Sequence, residues 1–131
     1  MDLRTLLFTD IVDSTQVVQR LGDERAAALW SEHDRRSRQL LAAHGGLEID
    51  RSDGFFVLFD NTSSARAFAL AYHRAMAALG LQARIGIHVG AVVLRENTQE
   101  DVRRGAKRVE VDGLAKPCAA RVMALAGAGR T

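Results

Sequence analysis

Cysteine is all but missing from this chain. Cys118 is the only one, which excludes a disulfide framework and any multi-cysteine zinc site. Pro117 is the only proline, and no Gly/Ser/Pro-rich stretch marks a linker, so no internal domain boundary is visible. Repeats and low-complexity tracts are absent as well. No uninterrupted apolar run approaches the ~18 residues of a membrane span. The start, MDLRTLLFTD, has an acid at its second position and no small-residue cleavage site, which makes it a poor signal peptide. A surplus of one charge is lacking too: 18 Lys+Arg stand against 16 Asp+Glu, a net charge of +2. That is too little for a nucleic-acid footprint, and the cluster Arg103, Arg104, Lys107 and Arg108 reads as a solvated charged loop. These absences describe a soluble, cytoplasmic-type domain with no nucleic-acid and no membrane partner.

What remains is enough for a core. The 131 residues are 47% apolar, which suits one domain over residues 1–131 that needs no staple. Residues 3–11 read as a buried strand ending in the helix-start residues Asp13, Ser14 and Thr15. A short helix runs to Leu21 and closes at Gly22. A second, after Asp23, places Ala26, Trp30, His33, Leu40 and Leu41 at helical spacings and stops at Gly45 and Gly46. LEID, a turn at Arg51–Gly54 and FFVLF form a hairpin. Asn61 to Ser64 offer caps for a third helix whose face holds Ala65, Phe68, Ala69, Tyr72, Met76 and Leu79. Residues 83–94 alternate as a strand, with Gly90 as a bend or bulge. A polar connection spans Arg95 to Lys107, a short strand follows at 108–111, and the pattern is helical from Leu114 to Leu125, with Pro117 tolerable only in the first turn. This order is an α+β, ferredoxin-like split βαβ arrangement: a mainly antiparallel sheet with helices on one face.

Two acids stand out. Asp10 lies inside an apolar strand, where a lone carboxylate is costly unless paired or bound to a cation. The topology brings Asp53, in the hairpin turn, close to it. Two carboxylates there repel, and Mg²⁺ or Mn²⁺ relieves the repulsion, with the Ile11 carbonyl as a further oxygen donor. Two ions on such a pair can align an attacking oxygen and a leaving phosphate. Read alone, Asp53 also suits an ordinary D-G turn and Asp10 a strand-end cap. Val12, Asp13, Ser14 and Thr15 place backbone N–H groups at a helix start, a phosphate acceptor site, although the same residues can simply cap the helix. Arg121 on the last helix has the fork that matches phosphate, or is a surface arginine. His33, His44, His73 and His88 lie on separate elements without metal-ligand spacing, and Cys118 reads as a small packed side chain.

LFTDIVDST, SDGFFVLF, RIGIHVGAVV and VEVDGLAKPCAARVMALA, in this order, resemble the core motifs of class III nucleotidyl cyclases, from about Arg4 to Ala126. More narrowly, EIDRSDGFF and GLAKPCAARVMALA resemble a bacterial subgroup of cyclase-like domains, some of which accompany peptide-modification systems. The resemblance implies a metal-dependent lyase for intracellular signalling. Two Mg²⁺ or Mn²⁺ ions sit on Asp10, the Ile11 carbonyl and Asp53, and the 3′-hydroxyl of a nucleoside triphosphate attacks its own α-phosphorus as pyrophosphate leaves. Arg121 takes the place of the family's phosphate-binding arginine. The sites lie at the interface of an antiparallel dimer, so a homodimer or heterodimer is implied.

The departures are specific. The family's purine-reading lysine falls on Ile49, or on Asp50 if the turn is one residue shorter. The acid that completes base reading falls on Glu110. The transition-state asparagine falls on Pro117, beside Lys116. Removing one transition-state donor typically costs ~10²–10³ in rate, which leaves a slow enzyme. The alternative is a degenerate cyclase-homology domain, a dimerising and nucleotide-binding regulatory module without catalysis. The family's domain usually continues past this last helix, so the chain reads as a fragment of a longer protein.

Overall fold

The computed structural model describes residues 2–52 and 54–131; Met1 and Asp53 lie outside the described residues. Along them run β1 (Asp2–Ile11), α1 (Ser14–Leu21), α2 (Asp23–His44), β2 (Leu47–Arg51), β3 (Gly54–Phe59), α3 (Thr62–Ala78), β4 (Ala83–Glu96), α4 (Gln99–Arg103), β5 (Val109–Asp112) and α5 (Ala115–Leu125). The strands form one sheet in the order β2-β3-β1-β4-β5, with every neighbouring pair antiparallel. This is the split βαβ arrangement expected from the sequence.

The apolar runs of β1 and β3 follow from their central position. A strand covered on both faces is apolar at successive residues rather than alternate ones. Leu7, Ile11, Phe55, Val57 and Phe59 face one layer, where α2 and α3 add Leu41, Phe68, Tyr72 and Met76. Leu6, Phe56 and Leu58 face the other, with Ile49, Val92, Val111, Ala115 and Ala119. Local signals set the ends. Gly45 closes α2 in the left-handed region at φ 72, its N–H donating to the Leu41 carbonyl. At the start of α3 the Asn61 side chain accepts from the Ser64 N–H at 2.8 Å.

The helices do not all lie on one face. The fifth packs on the layer opposite α2 and α3, and two glycines of β4 explain why. A Cβ at Gly86 would lie 2.2 Å from the Met123 nitrogen, and one at Gly90 would lie 2.6 Å from the Ala115 Cβ. Their missing side chains make a groove in which the small residues of α5 sit. Gly90 is therefore no bulge: it pairs in register with Arg4. The irregularity falls in β2, between Glu48 and Asp50. The polar connection after β4 holds the short α4, capped by the Thr98 side chain, which accepts from the Asp101 N–H at 3.1 Å. Cys118 is exposed rather than packed, because α5 buries Ala115 and Ala119 and turns Cys118 outward. β4 runs on past its pairing with β1, and the arm it makes with β5 brings β5 into contact with β2.

The α5 groove is testable. Gly86→Ala forces a methyl into the helix backbone and is expected to cost about 1–3 kcal/mol in urea unfolding, with faster hydrogen exchange in α5 and none in α3. An unchanged unfolding midpoint refutes the packing argument.

Candidate active site

β1 lies between β3 and β4, so its last residues have strand neighbours on both sides. Asp10 pairs in register with Gly54 on β3 and with Arg84 on β4. The approach to β3 is close: a Cβ at position 54 would stand 1.9 Å from the Thr9 carbonyl oxygen. Only glycine fits there, which accounts for the D-G pair. Asp53, the residue before Gly54, lies outside the described residues. The Asp10 carboxylate accepts from Arg84 Nη2 at 2.5 Å, both side chains being about a third exposed or less (27% and 34%). Arg84 Nε is buried with no partner among the described residues. Reading the sequence missed Arg84. Its signal was a lone cation in an apolar strand, whose partner only the β1–β4 register identifies.

Ile11 is buried on the helix side, so only its main chain can offer an oxygen. Beside Asp10, on the α5 side of the sheet, lies a cavity of about 300 Å³ lined by Phe8, Asp10, Asp50, Ser52, Gly54, Phe56 and Met123 among others. Its floor is the stacked Phe8–Phe56 pair, ring centroids 4.4 Å apart. No group of three or more His, Cys, Asp or Glu side chains is gathered for a metal ion among the described residues. The donors here are hard oxygens, the type that suits Mg²⁺ or Mn²⁺.

The loop after β1 offers less than four free amides. The Val12 N–H already donates to the Gln82 carbonyl at 2.9 Å, so it is not available to a phosphate. Asp13 stands in the left-handed region at φ 55 and is the helix N-cap residue, without a side-chain capping bond. Ser14 and Thr15 open α1 and line a second cavity, of about 320 Å³, on the helix side of the sheet. At the base-reading positions, Ile49 is buried in the second core layer at 7% exposure and presents no polar group. Glu110 accepts from Asn97 Nδ2 at 2.9 Å and pairs with Lys107 at 3.3 Å. Lys107 Nζ also donates to Asp50 at 2.9 Å. The Asn97 hydrogen bond, with Lys107 behind it, holds the Glu110 carboxyl below its usual range despite some burial. Asp50, then Glu110, push the Lys107 ammonium up. Lys107 is thus no solvated loop residue but a bridge between β2 and β5.

On α5, Pro117 and Arg121 are exposed while Lys116 is half-buried, its ammonium 5.5 Å above the Phe56 ring. Met123 lines the Asp10 cavity. Arg121 precedes it by two residues, roughly 200° around a helix of 3.6 residues per turn, and so points away from that cavity. The structure brings together Asp10, Arg84 and Gly54, with Asp50 lining the same cavity and tied through Lys107 to Glu110; it does not bring Arg121 to Asp10 within one chain.

No family model and no curated protein matches the sequence. Solved structures do match the fold. The adenylyl cyclase CyaB from P. aeruginosa superposes with a TM-score of 0.85 at 18% identity, over 97% of this chain and 74% of that one. The guanylate cyclase domain of RhGC from Catenaria anguillulae gives 0.83 at 16%, over 98% and 75%. An adenylate cyclase from Trypanosoma brucei gives 0.81 at 21%, over 98% and 70%. This chain has the class III cyclase fold. The strand end with Asp10, the hairpin and α5 all belong to the part of this chain that superposes on those domains.

Beneath the second cavity lies a buried polar network. His33, 7% exposed, donates from Nδ1 to Asp34 at 2.9 Å, and its Nε2 accepts from the Tyr72 hydroxyl at 2.7 Å. Burial lowers the His33 pKa, more than Asp34 raises it, and Arg51 adds to the lowering. The folded state therefore favours neutral imidazole. Its contribution is complete above the ordinary value of 6.5 and is lost as pH falls through the lowered folded value. Resistance to urea unfolding is expected to fall as pH is lowered from about 7.5 to 5, with a smaller change in His33→Gln. An equal change in both proteins rules out His33 as the source.

Proposed function

We propose that this chain is a member of the class III nucleotidyl cyclases and converts a nucleoside triphosphate to a cyclic monophosphate and pyrophosphate for intracellular signalling. The observation that carries the reading is the register that sets Asp10 opposite Gly54, since Gly54 directly follows Asp53 in the chain. Asp10, the Ile11 carbonyl and Asp53 would hold Mg²⁺ or Mn²⁺, and such ions supply charge stabilisation for phosphoryl transfer. The 3′-hydroxyl gives its proton to solvent water, its oxygen forms a bond to the α-phosphorus, and the bond to pyrophosphate breaks.

The chain's own residues divide the remaining work. Arg84 neutralises Asp10 and gives the same strand end a cation for triphosphate oxygens. The amides of Ser14 and Thr15, at the start of α1 behind the exposed Asp13, receive the phosphate end. Arg121 faces away from its own Asp10 cavity, so it acts on the site of a second chain. That supports an antiparallel homodimer with shared sites, or a heterodimer. A related guanylyl cyclase domain, from Blastocladiella emersonii, is described in both dimeric and monomeric forms. The RhGC domain is described with GTP. The Asp50–Lys107–Glu110 cluster supplies both donor and acceptor groups for a base edge, in place of the apolar Ile49. No helix among the described residues is long and apolar enough to cross a membrane, and a cytoplasmic site of action suits a nucleotide substrate.

A second reading, a regulatory module without turnover, is favoured by Pro117, which has neither an amide side chain nor an N–H. Incubation with ATP, GTP, CTP and UTP in Mn²⁺ separates the two. The enzyme reading expects cyclic product, about 10²–10³ below an intact site, that disappears in Asp10→Ala and Asp53→Ala. Folded protein that makes none from any of the four supports the module. Lys107→Met is expected to change the ranking of the four nucleotides without abolishing turnover. An unchanged ranking removes the cluster from base recognition.

A further inference from the structure

We infer that Arg51, anchored by Asp34 and His33, is a positioning residue that fixes the β2–β3 hairpin and thereby sets how tightly the chain holds a divalent cation; the second half rests on the reading above. Arg51 ends β2, and its side chain is only 13% exposed on the helix side of the sheet. Its guanidinium donates to Asp34 at 2.9 Å, to the Ser37 hydroxyl at 3.0 Å and to Glu48 at 2.6 Å. It also lies 4.5 Å above the Phe55 ring. Asp34 and Ser37 belong to α2, whereas Glu48 and Phe55 belong to the hairpin itself. One rigid planar group thus ties the hairpin to a helix.

The tie continues inward. Asp34 is held by His33 Nδ1, and His33 by Tyr72 of α3. A residue that only covered the core would be apolar, because a desolvated cation gains little over a hydrophobic side chain unless its donors are met. Here Nε, Nη1 and Nη2 each donate, to partners in two directions, which defines an orientation as well as a buried surface. The placement gives this a function. Ser52 follows Arg51 directly and donates its N–H to the Gly54 carbonyl at 2.8 Å. Gly54 in turn is pressed against the Thr9 carbonyl. Both chain neighbours of Asp53 are therefore fixed, one through Arg51 and one through β1. Groups behind a metal ligand that orient it typically change metal affinity 10–100-fold when removed.

The test uses Arg51→Met, which keeps the apolar contact with Phe55 and removes every donor, and the more exposed Asp34→Asn in case the first fails to fold. Amide hydrogen exchange at Ser52 and Gly54 is expected to accelerate about tenfold while α3 and β4 stay unchanged. The Mn²⁺ dissociation constant, read by electron paramagnetic resonance, is expected to rise about tenfold. Wild-type exchange at the hairpin in a folded variant overturns the inference. Faster exchange with unchanged Mn²⁺ affinity overturns its second half. Wild-type protein that binds no Mn²⁺ refutes the cation reading separately, and the exchange data still decide the role of Arg51.

Discussion

The close contact between the Thr9 carbonyl and Gly54 is the constraint on which the site depends. Antiparallel neighbours normally leave room for a Cβ, and here a Cβ would stand 1.9 Å from an oxygen. Backbone alone fits at that point, so the β1–β3 register cannot slip without a collision. A slip of one residue would also exchange the two core layers, sending Leu7 and Phe55 to the α5 side and Leu6 and Phe56 to the α2–α3 side. The same register fixes Asp10 opposite Arg84 on the other strand. A carboxylate at the end of an apolar strand is thereby held in place and compensated, yet left with enough exposure to take a ligand.

Glycine plays a second part on β4. Gly86 and Gly90 admit α5 to a sheet face that would otherwise hold side chains. The helix then lies so close that its fully buried residues are Ala115 and Ala119, while Met123 reaches the edge of the Asp10 cavity. Leu114 and Leu125 are 84% and 88% exposed, and Arg121 shares that outward orientation. An arginine that faces solvent on α5 is open to another molecule rather than to its own sheet, which is the geometry that the proposed site shared between chains requires.

Much of this was legible before any coordinates. Asn61, Gly45 and the D-G turn announce their elements through local chemistry, and the periodicity of α2 and α3 is long enough to be unambiguous. α4 was not legible, because a single turn with no buried residue has no period to detect. The face on which α5 packs was also hidden: Ala115 and Ala119 mark a stripe but do not say which side of a sheet receives it. Arg84 required the register, and Lys107 required the bend of the β4–β5 arm, since β2 and β5 stand at opposite ends of the strand order. Local rules see neighbours along the chain, whereas both residues act across it.

The balance between enzyme and module turns on which losses are local. On the proposed reading, Pro117 withholds one side-chain donor, a loss of about 3–4 kcal/mol in a transition state. Ile49 removes a polar group from a wall, but the chain rebuilds polarity nearby with Asp50, Lys107 and Glu110 all within ion-pair distance. Neither change touches the strand end at Asp10, where the register, the glycine and Arg84 remain in agreement. Asp10 at the end of that strand is compensated by Arg84, and the β1–β3 contact beside it has room for glycine alone. These close constraints lie at the strand end where the proposed chemistry would take place, and Ile49 and Pro117 lie outside it, so the two departures bear on the substrate the proposed site would take more than on the strand end itself.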